Sequence, residues 1–162
     1  MLDETILAAA ARTLDLLRAR GLTAVTAESC TGGLVAASLT HHAGSSNVVL
    51  GGFVTYSNLM KHRLLGVETV LFEQVGAVSE AVALAMAEGA VRESGATCAV
   101  SVTGIAGPGG GSPGKPVGLV WFASSSGGRP PVAVRHVFAG TRAEVRSRAT
   151  ATALSLLAEC AG

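Results

Sequence analysis

Three polar positions stand where short β-rich runs give way to turns, and their residue types suit acyl transfer. Ser29 follows the run Leu22 to Ala27 and precedes Cys30-Thr31-Gly32-Gly33, where a helical stretch begins. Tyr56 closes the run Val48 to Tyr56, and Lys61 lies one turn into the helix that Ser57-Asn58 opens. Thr103 follows the run Thr97 to Val102. A serine at a helix start can attack a carbonyl while the first-turn N–H groups, here around Thr31, Gly32 and Gly33, receive the negative charge. Such a serine needs a base, and Lys61 can serve if a dry site lowers its pKa towards the ~7–8 useful near neutrality. The chain holds two lysines against ten arginines, so a lysine used only as solvated charge would be an unusual choice here. Local sequence leaves simpler roles open: Ser29 and Thr31 as helix caps, Lys61 as a surface residue. Cys30 is a rival nucleophile, since thiols at helix starts ionise readily, although an inert structural cysteine is the commoner case.

Other features bear on binding. The segment Thr103 to Gly114 carries Gly104, Gly107, Gly109 and Gly110 and can cradle an anion through backbone amides, or simply turn a corner. It lacks the Gly-Lys-Ser/Thr ending of a phosphate-binding loop and the GxGxxG order of a dinucleotide fingerprint. Arg142 and Arg146, four residues apart on the last helix, share a face and can grip a phosphate together, or form an exposed basic edge. His41, His42, His62 and His136 have no metal-ligand spacing, so neither a metal site nor a cofactor is expected.

The elements that must hold these groups alternate. Ile6, Leu7, Ala10, Leu14 and Leu17 recur at helical spacing before a stop at Gly21. Leu34 to Leu39 reads as a helix, as does the stretch through Leu59, Met60 and Leu64 to Gly66. Ser79 opens a longer helix through Val82, Met86 and Val91 to Gly95. Val117 to Ala123 and Val132 to Phe138 predict two adjacent strands joined by a Ser/Gly/Pro turn. Thr141 with Glu144 forms a capping box for a final helix through Val145, Leu154 and Leu157. Strands alternating with helices, then a late strand pair, predict a three-layer α/β/α sandwich around a mixed β-sheet.

Composition narrows the class. At 162 residues the chain suits one domain, residues 1–162, with an ordinary core. A net charge of +1 gives no basic field for a nucleic-acid backbone, so no nucleic-acid partner is expected. The stretch Ser29 to Met60 has no charged residue, but His41-His42-Ala43-Gly44-Ser45-Ser46-Asn47 cuts it into halves too short for a membrane span of ~20 residues. With no signal pattern after Met1 and an odd count of three cysteines, a soluble protein of the reducing cytoplasm is expected. Charged residues are only 14%, against roughly 25% in an average domain. Surface hidden in a homo-oligomer, a dimer by preference, would account for that.

Taken together, Thr26-Ala27-Glu28-Ser29-Cys30-Thr31-Gly32-Gly33, Tyr56-Ser57-Asn58 with Lys61 and Leu65-Gly66-Val67, Gly76-Ala77-Val78-Ser79, Thr103-Gly104-Ile105-Ala106-Gly107-Pro108-Gly109-Gly110 and Lys115-Pro116-Val117-Gly118 resemble the CinA C-terminal domain family. The resemblance runs from about residue 5 to residue 157, and the length is similar to that of the stand-alone form. It implies hydrolysis of the carboxamide of nicotinamide mononucleotide to nicotinic acid mononucleotide and ammonia. It places the nucleophile on Ser29 and its lysine partner on Lys61, with Tyr56 and Thr103 lining the same site. One departure is Gly140-Thr141-Arg142, where the family usually has Gly-Asp-Arg. Beside the amidase stands a second expectation, a non-catalytic nucleotide-binding or regulatory module that partners a CinA-type protein.

Overall fold

The computed structural model describes residues 2–162. Its elements run α1 (Glu4–Ala19), β1 (Ala24–Glu28), α2 (Leu34–Thr40), a 3-10 turn at Ser45–Asn47, β2 (Val49–Val54), α3 (Asn58–Leu65), α4 (Thr69–Gln74), α5 (Glu80–Ser94), β3 (Cys98–Gly104), β4 (Leu119–Ser126), β5 (Val132–Val137) and α6 (Arg142–Glu159). The sheet order is β2-β1-β3-β4-β5. β2, β1 and β3 are parallel, whereas β4 and β5 are antiparallel additions, so the expected mixed sheet is the observed one.

Side-chain alternation along the strands builds the three layers. On β3, Cys98, Val100 and Val102 face a core shared with α1, α2 and α6, while Ala99 faces a second core against α3 and α5. Successive strand residues point to opposite faces, so each strand supplies both cores. The first core joins Ile6, Leu14 and Leu17 of α1 to Val145, Leu154 and Leu157 of α6. The second joins Leu65 and Val67 to Val82 and Met86. Gly89 of α5 is needed for that second layer, since a Cβ there would sit 2.0 Å from the Leu65 carbonyl oxygen. Helix α3, which carries Lys61, can therefore lie against α5 with backbone close to backbone.

Helix starts follow the capping residues. Ser57 Oγ accepts from Met60 N at 3.2 Å, Ser79 Oγ accepts from Val82 N at 3.4 Å, and Thr141 with Glu144 closes the expected capping box. Helix α4 is an addition to the sequence reading: it has six residues, no side-chain cap and no fully buried residue. Such a segment leaves no periodic signal, and it is held instead by Leu71 and Phe72 packing on the second core. β1 also runs one residue further than expected, through Glu28. Among the described residues, no helix is long and apolar enough to cross a membrane.

Candidate active site

β1 leads into α2 on one face of the sheet, and its neighbour β2 leads into α3 on the other. The chain thus switches sides at the carboxyl ends of these strands, the usual place for a ligand crevice in an α/β sheet. A cavity of about 240 Å³ opens there. Its wall includes Ser29, Tyr56, Lys61, Thr103, Gly104 and Arg142, six residues drawn from four separate segments of the chain.

Lys61 is 1% exposed, yet its ammonium group forms no ion pair with any described carboxylate. Its Nζ lies 3.0 Å from Ser29 Oγ and donates to the Thr55 carbonyl oxygen at 2.8 Å. Burial disfavours the charged form and lowers its pKa from 10.5 to about 8. A neutral amine has two N–H groups and one lone pair. The Thr55 oxygen can only accept, so it takes an N–H, and the lone pair can face the Ser29 hydroxyl. That is the arrangement a general base requires. Burial acts on Cys30 in the opposite sense, raising its thiol to about 11. Cys30 is therefore a protonated thiol at neutral pH and a poor nucleophile.

The turn after Ser29 is held in a way the sequence did not suggest. Glu28 is fully buried, and its carboxylate accepts from the backbone N–H of Gly33 at 3.0 Å, Val35 at 3.1 Å and Ala36 at 2.8 Å, and from Thr26 Oγ1 at 3.1 Å. The positive end of α2 is thus neutralised by the protein's own carboxylate. Gly32 N donates to the Ser29 carbonyl oxygen at 3.0 Å, and Leu34 N to that of Thr31 at 3.3 Å. The expected anion site at the Gly32 and Gly33 amides is therefore closed. Those glycines serve the turn instead, both adopting positive φ, 60° and 96°. In this turn the amides of Cys30 and Thr31 keep no protein acceptor among the described residues.

Arg146 also departs from its expected role. Its Nε donates to the Cys30 carbonyl oxygen at 3.1 Å and its Nη2 to that of Thr31 at 3.0 Å, so the guanidinium grips the turn from α6 and lies off the cavity wall. Arg142 does reach the cavity. It donates from Nη1 to the Gly107 carbonyl oxygen and from Nη2 to Tyr56 Oη, both at 2.9 Å, which ties the glycine segment to the opposite rim. Thr103 Oγ1 donates to the Ala77 carbonyl oxygen at 2.9 Å. Gly104 lines the cavity, whereas Gly107, Gly109 and Gly110 do not. Gly104 and Gly107 answer to packing, since a Cβ would come within 2.7 Å of Val120 and 2.5 Å of Val117 respectively. Thr55, Glu28 and Asn58 were not singled out by sequence; only the carboxylate next to the serine offered a usable signal. No cluster of three or more His, Cys, Asp or Glu side chains suited to a metal occurs among the described residues.

The sequence profile of the CinA C-terminal domain matches residues 7–161. The chain belongs to the CinA C-terminal domain family. It is 48% identical over 157 residues to nicotinamide-nucleotide amidohydrolase PncC of Escherichia coli strain K12, covering 97% of this chain and 95% of that one. It is 53% identical over 143 residues to a CinA-like protein of Mycolicibacterium vanbaalenii, covering 88% of this chain but only 33% of that longer protein. Among solved structures, competence/damage inducible protein CihA of Agrobacterium tumefaciens superposes with a TM-score of 0.95 at 45% identity, covering 99% and 98% of the two chains. The CinA C-terminal domain is thus present over nearly the whole chain, with the Ser29–Lys61 contact at the crevice of its sheet.

Proposed function

We propose that this chain is a nicotinamide-nucleotide amidohydrolase working through a Ser29–Lys61 dyad. The observation that carries the proposal is the 3.0 Å contact between a lysine without ion partners, held near pKa 8 by burial, and a serine hydroxyl at the cavity wall. The near full-length similarity to relatives named for that activity supports the substrate class.

Neutral Lys61 takes the Ser29 proton as Oγ attacks the carboxamide carbon. The Cys30 and Thr31 amides, the two left open in the turn, receive the oxyanion. Lys61 returns its proton to the departing nitrogen, ammonia leaves, and an ester on Ser29 remains. Water, deprotonated by Lys61, adds to that ester; collapse releases the carboxylate product and restores the serine. A cavity of about 240 Å³ is smaller than the ~300–1,000 Å³ of sites that enclose a whole small molecule. It takes the pyridine carboxamide, and the sugar phosphate lies across the rim. There Arg142 has N–H donors beyond the two bonds it makes, and Tyr56 is 61% exposed.

The test is to incubate the purified chain with nicotinamide mononucleotide and measure ammonia together with the acid product. Stoichiometric release by the parent, lost in Ser29→Ala, is the expected result. Tight binding of the mononucleotide with no ammonia would assign a nucleotide-binding module instead.

A further inference from the structure

The central sheet ends in two edge strands, β2 and β5, and their residues differ in kind. β5 follows Pro130 and Pro131 and carries exposed Arg135 and His136 between its exposed ends, Val132 and Val137. Proline and charge are the usual guards that keep an edge from pairing with another chain. β2 has neither. It reads Val49-Leu50-Gly51-Gly52-Phe53-Val54, with Leu50 50% and Val54 49% exposed, and the run Ser29 to Met60 around it holds no Asp, Glu, Lys or Arg.

The backbone of that edge is open. Thr55 N donates inward to the Glu28 carbonyl oxygen at 2.8 Å. By the alternation of a parallel ladder, Val54 and Gly52 therefore turn their N–H and C=O away from β1. Among the described residues, no turn or helix backbone bonds those groups. Gly51 leaves the same edge bare, with no atom within 4 Å of where a Cβ would stand.

We propose that β2 is a homodimer interface, in which two copies of this chain pair their β2 strands antiparallel about a two-fold axis and join their sheets into one. Charge selects a second copy as the occupant. A two-fold sets each interface residue against the same segment of its copy, so a charge there would lie near a like charge. A segment without charge has nothing to repel, whereas a foreign acidic or basic strand would find no counter-charge on β2. An axis at Gly52 places Val54 of one copy beside Leu50 of the other, which covers both exposed apolar side chains. The interface also borders the crevice, because β2 runs directly into Thr55, whose carbonyl oxygen holds Lys61.

The test is sedimentation equilibrium of the parent at micromolar concentration, which should give twice the chain mass. The double variant Leu50→Lys/Val54→Lys should give the single-chain mass with unchanged circular dichroism, while Val132→Lys on β5 should stay dimeric. Hydrogen exchange on the parent, which does not depend on a variant folding, should find the Gly52 and Val54 amides protected. The proposal is overturned by a monomeric parent, by fast exchange at Gly52 and Val54, or by a folded β2 double variant that stays dimeric. None of these measurements needs turnover, so the outcome is independent of whether the amidase reading holds.

Discussion

The two ends of the central sheet each bury a titratable side chain, Lys61 at one and Cys98 at the other, and they differ in what surrounds it. At the carboxyl end Lys61 bonds a hydroxyl and a carbonyl oxygen, and burial outweighs the opposing pull of Cys30 to lower its proton affinity. At the other end the balance reverses, and the Cys160 and Thr97 side chains lower the Cys98 thiol against the effect of burial. Burial by itself therefore does not decide whether a group is reactive. Burial lowers the proton affinity of the Lys61 amine and raises that of the Cys30 thiol, favouring the neutral form of both.

Removing the dyad should separate the ends most sharply. Ser29→Ala and Lys61→Ala should each lower kcat at least about 10³-fold, and the double variant should be little worse, because the two groups act as a unit. Cys98→Ser should leave kcat of the reduced enzyme within about twofold. Steady-state ammonia release measures all four, and additive losses in the double variant would separate Ser29 from Lys61.

Acidity gives the next largest effect. The rate should fall about tenfold per pH unit below pH 8, as Lys61 binds a proton and its lone pair disappears. The same shift has a consequence for stability. Between about pH 8 and 10.5 the unfolded chain binds the lysine proton and the folded chain does not, so stability should rise with pH across that window and level off below it. Lys61→Met should remove that slope, as melting temperatures at several pH values would reveal.

Two arginines on α6 sharpen the picture within the carboxyl end. Arg142→Ala should weaken binding of the mononucleotide about 10- to 100-fold and leave the riboside nearly unchanged, the scale of one hydrogen bond to a charged group. Arg146→Ala should instead lower kcat with little change in KM, since its guanidinium grips the Cys30 and Thr31 carbonyls and not the cavity. Arg146→Lys should recover only part of that loss, because an ammonium cannot reproduce the two-pronged contact. Ligand titrations and kinetics on the three variants test this, and an equal loss for both ligands in Arg142→Ala would place the phosphate elsewhere.

The smallest effect should come from Glu28→Gln, which keeps one acceptor oxygen but loses charge and brings N–H donors to a site built for acceptance. A destabilisation of about 1–3 kcal/mol is expected, readable by urea unfolding. Unchanged stability would mean that the α2 amides find another partner.

Much of this architecture was legible in the chain itself, and the reason is local. Ser57, Ser79 and the Thr141–Glu144 pair announce their helices through backbone bonds made within three residues, and the strands stand out as short β-rich runs bounded by turn residues. The contact of Ser29 with Lys61 spans 32 residues; residue types raise the pairing only as one option beside a helix cap and a surface lysine, and the resemblance of several motif blocks is what selects it. Glu28 and Arg146 were missed or assigned elsewhere for one reason. A buried carboxylate and a guanidinium facing inward look, in sequence, like any other charges near a turn. Their partners are backbone groups, which carry no residue type to recognise.

The Thr55 carbonyl has one further consequence. Lysine is among the most mobile side chains, and confining it removes up to about 2 kcal/mol of rotamer entropy. In this fold the confinement precedes substrate, because Nζ is fastened to Thr55 and the side chain is buried but for its place on the cavity wall. The disorder of a long aliphatic arm is thus surrendered once, at folding, and does not recur as a contribution to the activation barrier of each turnover.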